Sequence, residues 1–165
     1  MVENLEDKGA IVLAKSNTPE FGAGATTFND VFGRTHNPWN IAMTCGGSSG
    51  GTAAALAAGQ IWLGTGSDLG GSLRIPASFC SVVGIRPSPG RIAAGPKDNP
   101  FATLSVDGPM ARNVGDLALA LDAMAGFNSS DHLSLPAPEI PYANSVTNPI
   151  LPKKVGSSPD LAISP

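Results

Sequence analysis

Two serine clusters flanked by glycine are the feature that most constrains this chain. They lie at the two ends of residues 44–74, TCGGSSGGTAAALAAGQIWLGTGSDLGGSLR. Glycine on both sides allows backbone conformations that other residues resist, and it lets a second segment or a ligand come close. We therefore expect Ser48 and Ser72 at exposed, tightly folded turns, a geometry that suits a nucleophile.

The pattern around the clusters predicts short helices alternating with short apolar strands. In chain order we predict a helix end at 1–8, a strand at 10–14, a helix at 50–58, strands at 61–65 and 82–86 with a helix over LRIPASFC between them, and a helix at 114–124. Short apolar runs between turn residues are typical of buried parallel strands, which indicates an α/β fold. The last helix is the best defined, because Asn113 and Asp116 occupy its N-cap and N3 positions.

The domain organisation follows a change in composition. Residues 1–135 carry these elements, whereas 136–165 hold seven prolines, at 136, 138, 141, 149, 152, 159 and 165. Such a segment is typical of a linker or a surface crossing. We interpret 1–135 as part of a catalytic core and 136–165 as a crossing into the next part of the same domain, in a chain truncated at both ends.

Charge and cysteine content exclude several classes of partner. The net charge is -3 without a Lys/Arg cluster, which argues against nucleic acid or an anionic membrane as the partner. No apolar run approaches the length of a membrane span, and no signal peptide is recognisable. Cys45 and Cys80 lack metal-ligand spacing, so we expect reduced thiols, no metal site and a cytoplasmic protein.

A serine hydroxyl becomes a nucleophile only when a neighbouring base takes its proton. The string Gly46-x-Ser48-x-Gly50 matches the nucleophile elbow of α/β-hydrolases, with His132 nominally available as the base, but five residues in a Gly-rich chain are weak support. Lys15 is the other base. It can act only when neutral, in a poorly solvated pocket, and the apolar run 10–14 would form one wall. Taken alone, Lys15 fits a surface lysine at a strand end better.

Four sequence blocks bear on this choice. They are AKSNTPEFG, CGGSSGG, GTGSDLGGSLRIPASFCSVVGIRPS and GPMARNVGDLALALDAMAG. In residues, order and spacing, from about Gly9 to Gly126, the chain resembles the amidase signature family. The resemblance implies a mixed, mainly parallel sheet with flanking helices, amide hydrolysis, and no metal or organic cofactor.

The resemblance also assigns roles to individual residues. It implies that Ser72 is the nucleophile, that Ser48 is the bridging serine that takes its proton, and that Lys15 is the terminal base. The peptide before Ser48 would be cis. The backbone N–H groups of Leu69, Gly70, Gly71 and Ser72 would form an oxyanion hole, which fits a Gly-rich loop that enters a helix.

Three further positions match residues that brace this loop in the family. Asp68 could instead stabilise a turn, Ser49 could cap the Ala-rich helix, and Arg74 could be a solvated helix residue. The resemblance favours the bracing role for all three.

Three functions stay open at this point. The first is an amidase that acts on a small carboxamide. The full-length protein could be a homo-oligomer. The second is the A subunit of an aminoacyl-tRNA amidotransferase, a glutamine amidase. It is disfavoured because its members commonly have GGSIRQP where this chain has GGSLRIP. The third is a truncated fragment that keeps the signature without activity.

Overall fold

Short helices and strands alternate along the computed structural model, which describes residues 1–96 and 98–158. In chain order the elements are α1 (Val2–Asp7), a 3₁₀ turn (Glu20–Gly22), β1 (Phe28–Asn29), β2 (Gly33–Arg34), β3 (His36–Asn37), β4 (Asn40–Thr44), α2 (Gly50–Ala57), β5 (Leu63–Asp68), α3 (Arg74–Phe79), β6 (Val83–Gly84), β7 (Val106–Ala111), α4 (Val114–Met124) and α5 (Tyr142–Thr147). The predicted order of helices and strands around the serine clusters is confirmed, with strand ends shifted by one to three residues.

The main sheet has three strands in the order β5-β7-β6. Both outer strands pair antiparallel with β7. The expectation of mainly parallel pairing is therefore wrong for the described residues, and the reason lies in β7. β5 and β6 run in the same direction and are joined through α3, as in a parallel unit, but β7 is inserted between them. Two antiparallel hairpins, β1-β2 and β3-β4, precede this sheet.

Strand β7 was not predicted, and a strand predicted at 10–14 is absent. β7 contains Gly108 and Pro109, residues that normally argue against a central strand, yet Val106–Ala111 pairs with β5 along its whole length. Residues 10–14 form no strand. No strand pairs with this run among the described residues, and Ile11 is 84% exposed. An apolar run without a hydrogen-bonding neighbour cannot complete a ladder.

Glycines on β5 let helix α2 lie directly against the sheet. A Cβ on Gly64 would come within 2.3 Å of Thr52 Cγ2, and one on Gly66 within 2.3 Å of Ser49 Oγ. Neither position has room for a side chain, so the serine cluster at the start of α2 is held close to β5. The Gly-rich composition thus sets the distance between the helix and the strand.

The core beneath this packing is small and apolar. Its main cluster joins α2, α3 and β7 through Leu56, Leu73, Met110 and the two cysteines Cys45 and Cys80, all fully buried. A second cluster forms where α4 meets α1 and α5. Burial raises the pKa of Cys45, and burial together with the neighbouring Cys45 raises the pKa of Cys80 to about 11.

In the C-terminal half, the helix predicted from short-range sequence spacing is confirmed. α4 spans Val114–Met124 as predicted, and the Asn113 side chain accepts a hydrogen bond from the Asp116 N–H. Within the Pro-rich segment the structure adds α5, and residues 159–165 lie outside the described part. In the described ranges no helix is long and apolar enough to cross a membrane.

Candidate active site

Ser48 lies at a turn between β4 and α2. The turn is buried rather than exposed as predicted, and the Gly47–Ser48 peptide is cis, as the family resemblance implied. The hydroxyl of Thr27, itself fully buried, donates to the Gly46 carbonyl at 2.9 Å and lies 3.4 Å from the Ser48 carbonyl. Thr27 therefore fixes the backbone on both sides of this peptide. It lies in an irregular segment, where no sequence pattern singles it out.

Ser49 connects the two serine clusters. Its N–H donates to the Ser72 carbonyl at 3.2 Å. Its hydroxyl contacts both backbone groups of Ser67, accepting from the N–H at 3.3 Å and donating to the carbonyl at 3.4 Å. Ser49 occupies the N-cap position of α2 but makes no side-chain cap. The alternative interpretation of Ser49 as a helix cap is therefore wrong, because its hydroxyl is used on β5.

Residues 69–72 form a tight loop between β5 and α3, and Asp68 holds it from one side. Asp68 Oδ1 accepts from the Gly71 N–H at 2.8 Å, and Oδ2 accepts from the Leu73 N–H at 3.3 Å. Gly71 has φ +116°, which a residue with a side chain rarely adopts. Of the four predicted oxyanion donors, the Gly71 N–H is therefore already bonded to Asp68. Among the described residues, the N–H groups of Leu69, Gly70 and Ser72 have no protein partner.

Asp68 and Arg74 form a bidentate ion pair. Arg74 Nε lies 2.9 Å from Oδ2, and Nη2 lies 3.0 Å from Oδ1, although the Arg74 side chain is 56% exposed and that of Asp68 is fully buried. Burial on its own raises the pKa of Asp68. The hydrogen bonds from Arg74, Gly71 and Leu73 outweigh that effect and lower the pKa to about 2. The carboxylate therefore stays charged at neutral pH and anchors the loop.

A second arginine, Arg86, reaches the same carboxylate from beyond β6. Its Nη1 lies 3.5 Å from Asp68 Oδ1 and also donates to the Asp68 carbonyl, while Nη2 donates to the Leu104 carbonyl at 3.0 Å. Arg86 thereby links the end of β5 to the segment before β7. The sequence predicts Arg86 at the end of a strand and offers no sign of this contact, since its partners are 18 residues away.

The segment after Lys15 is fastened to the start of α2. Gly51 N–H donates to the Asn17 carbonyl at 3.2 Å. The hydroxyls of Ser16 and Thr52 are 2.7 Å apart. Thr52 donates its own proton to the Thr65 carbonyl at 3.1 Å, which leaves Ser16 as the donor to Thr52. These bonds bring the Lys15 segment, the Ser48 turn and β5 into one region.

Lys15 itself is exposed, as is the apolar run before it. The predicted poorly solvated pocket around Lys15 is therefore wrong for this structure. The run 10–14 has no neighbouring strand among the described residues, so it cannot form a dry wall beside the amine. The other candidate base, His132, is not buried either, and its ring contacts Phe101 edge-on at 5.6 Å between centroids.

The described residues contain no group of three or more His, Cys, Asp or Glu side chains that could hold a metal ion. The candidate site comprises two hydroxyls, a loop with three N–H groups that are unbonded within the described residues, and a carboxylate that supports the loop. Such a set is suited to nucleophilic attack on a carbonyl carbon and to stabilising the oxyanion that results.

Comparison with known proteins identifies the family of this chain. The family model of the amidases (Amidase) matches residues 1–163. The chain belongs to the amidase family. The A subunit of the glutamyl-tRNA(Gln) amidotransferase of Marinomonas sp. (strain MWYL1) is 40% identical over 156 residues, which cover 94% of this chain and 32% of that protein.

Two solved amidase-family structures share the fold. A 6-aminohexanoate cyclic dimer hydrolase complexed with substrate has a TM-score of 0.82 and 40% identity, covering 88% of this chain and 31% of that one. A bacterial aryl acylamidase of the amidase signature family has a TM-score of 0.82 and 35% identity, covering 88% and 30%. The chain thus spans about a third of the length of these relatives.

Proposed function

We propose that this chain carries the nucleophile of an amide hydrolase, which cleaves the C–N bond of a small carboxamide through an acyl-enzyme on Ser72. The observation that carries the proposal is the hydrogen bond from the Ser49 N–H to the Ser72 carbonyl at 3.2 Å. It joins the Ser48 turn to the start of the loop-to-helix passage that bears Ser72. Membership of the amidase family supports the reaction class.

The proposed reaction uses both serines in turn. Ser72 Oγ attacks the carbonyl carbon while its proton passes to Ser48 Oγ, and Ser48 gives its own hydroxyl proton to a base, for which Lys15 is the predicted residue. The N–H groups of Leu69, Gly70 and Ser72 stabilise the oxyanion. The C–N bond breaks as Ser48 returns a proton to the leaving amine, which leaves an ester on Ser72. A water molecule that gives its proton to the same relay then attacks the ester, releasing a carboxylate and restoring the Ser72 hydroxyl.

Lys15 remains the predicted terminal base of this relay, but its exposure in the structure argues against that role. A lysine accepts a proton only in its neutral form, which requires removal from water. The exposed Lys15 side chain has no such environment. The proposal therefore rests on Ser72 and Ser48, and substitution of Lys15 decides whether the relay ends there.

A fluorophosphonate probe, which labels activated serine hydroxyls, tests the proposal. We expect labelling of the 165-residue chain at Ser72, located by peptide mass spectrometry. Ser72→Ala should abolish it and Ser48→Ala should reduce it by about a hundredfold or more. Ser78→Ala, an exposed serine on α3, is the matched control and should label normally.

Three results would overturn the proposal. One is labelling that survives Ser72→Ala. Another is labelling lost in His132→Ala but retained in Lys15→Ala, which would indicate an α/β-hydrolase type of triad. The third is a chain that is folded by circular dichroism but unlabelled, which would support the alternative of a segment without activity.

A second candidate is a glutamine amidase that works as the A subunit of an amidotransferase. The 40% identity to the corresponding chain of a glutamyl-tRNA(Gln) amidotransferase favours it, whereas GGSLRIP in place of GGSIRQP disfavours it. Glutamine-dependent release of ammonia that requires a copurifying partner would select this candidate. Hydrolysis of simple carboxamides without a partner would select the first.

A further inference from the structure

An open cavity of about 150 Å³ lies between the two hairpins, with Arg34, His36 and Ala42 among its exposed lining residues. Cross-strand pairs supply its walls: Phe28 lies opposite Arg34, and His36 lies opposite Thr44. Arg34 and His36 are two residues apart in extended backbone, so both side chains can face the same space. Neither residue has a part in the reaction proposed above.

The polar groups that line this cavity are mainly hydrogen-bond donors. Arg34 contributes a guanidinium, and a His36 ring nitrogen donates in either protonation state. The Thr44 hydroxyl oxygen accepts from the Gly46 N–H at 3.1 Å, which leaves its own proton for a ligand. None of the described residues that line the cavity is acidic. Arg34 has no ion pair within the described residues.

The remaining wall is apolar and small. Phe28, Ala42 and Met43 line it. A cavity of about this volume can hold a molecule the size of benzene, roughly six non-hydrogen atoms. A guanidinium recognises the two oxygens of a carboxylate through parallel N–H bonds, and an apolar wall prefers a short alkyl chain to water.

We propose that this cavity binds a short-chain carboxylate, with its carboxylate group on Arg34 and His36 and its alkyl chain against Phe28 and Ala42. Thr27 connects this site to the Ser48 turn. This residue lines the cavity, and its hydroxyl donates to the Gly46 carbonyl at 2.9 Å. Binding does not require the chain to be catalytic, so the inference stands apart from the proposed function.

Calorimetric titration of the 165-residue Ser72→Ala variant, which lacks the proposed nucleophile and so cannot turn over an amide, with sodium butyrate tests the proposal. We expect a dissociation constant in the millimolar range, given about six ligand atoms. Butyramide, the neutral analogue, and inorganic phosphate, which lacks the alkyl chain, should each bind at least tenfold more weakly. Nuclear magnetic resonance shifts confined to residues around the cavity would place the ligand there.

Variants separate the charge from the shape of the site. Arg34→Gln removes the guanidinium charge and its paired N–H groups and should weaken butyrate binding by about tenfold. His36→Gln replaces one ring N–H donor by an amide N–H donor and should weaken it by less. Ala42→Leu fills the cavity without changing charge and should abolish binding. Lys8→Gln removes one positive charge outside the cavity and should change nothing.

Equal binding of butyrate and butyramide would overturn the carboxylate assignment. Equal binding of butyrate and phosphate would show a non-specific anion effect and would also overturn it. Unchanged affinity in both Arg34→Gln and Ala42→Leu, with circular dichroism unaltered, would show that the cavity is not the site.

Discussion

Arg74 forms two hydrogen bonds with the Asp68 carboxylate, of 2.9 and 3.0 Å, although the arginine side chain is largely exposed and the aspartate is fully buried. The carboxylate also receives the N–H groups of Gly71 and Leu73. One buried charge therefore organises the whole loop between β5 and α3. Losing that charge should affect both stability and the geometry of the proposed oxyanion donors.

Asp68→Asn should destabilise the fold by about 2 kcal/mol, because the amide cannot accept from all the donors that surround the carboxylate. Urea unfolding at pH 7 measures the difference. Asp30→Asn, an exposed turn residue, is the matched control and should be nearly neutral. Equal unfolding curves for the two variants would contradict the role of Asp68.

The depressed pKa of Asp68 predicts a specific loss of stability in acid. Its pKa falls from 3.8 to about 2 on folding, so the folded state holds the charged form more tightly than the unfolded state does. This contribution is present above pH 4 and is lost as the pH falls toward 2. Free energies of unfolding measured across this range should decline in the wild type. The decline should be smaller in Asp68→Asn, and equal slopes would refute the assignment.

Gly51→Ala should loosen the Lys15 segment from α2. A Cβ at this position would lie 2.3 Å from the Asn17 carbonyl oxygen and 2.5 Å from its nitrogen, both main-chain atoms that cannot swing away. We expect a loss of about 1–3 kcal/mol in urea unfolding, as for other overpacked sites. Gly115→Ala in α4 is the control, since its Cβ would meet only the Asn113 side chain, at 3.3 Å. Comparable losses in the two variants would argue against a specific clash.

The two thiols should be inert in the folded chain. Cys45 and Cys80 are fully buried, and burial raises the pKa of both, so neither the access nor the thiolate that Ellman's reagent needs is present. We expect the reagent to react with both thiols only after urea unfolding. Rapid reaction of the native chain would show that this core opens readily.

Local patterns predicted the parts of the fold that depend on neighbours in sequence. Helix α4 and its Asn113 cap follow from spacing within a dozen residues. β7 could not be found in the same way, because its pairing with β5 overrides the unfavourable Gly108 and Pro109. The opposite error occurred at 10–14, where an apolar run indicated a strand but contains no information about a partner.

The same distinction holds at the site. Ser48, Ser72, Asp68 and Arg74 lie in recognisable blocks, and the structure places them around one loop and one turn. Thr27 and Arg86 act on backbone atoms 18 to 21 residues away, and nothing near them in sequence marks those contacts. The environment of Lys15 was mispredicted because it depended on the missing strand.

Ser49 couples the positions of the two serine segments. Its main chain is tied to Ser72 and its hydroxyl to Ser67, so a displacement of α2 carries the Ser72 backbone with it. Substitutions elsewhere around the site can therefore change its walls while the main chains of Ser49 and Ser72 stay hydrogen-bonded to each other.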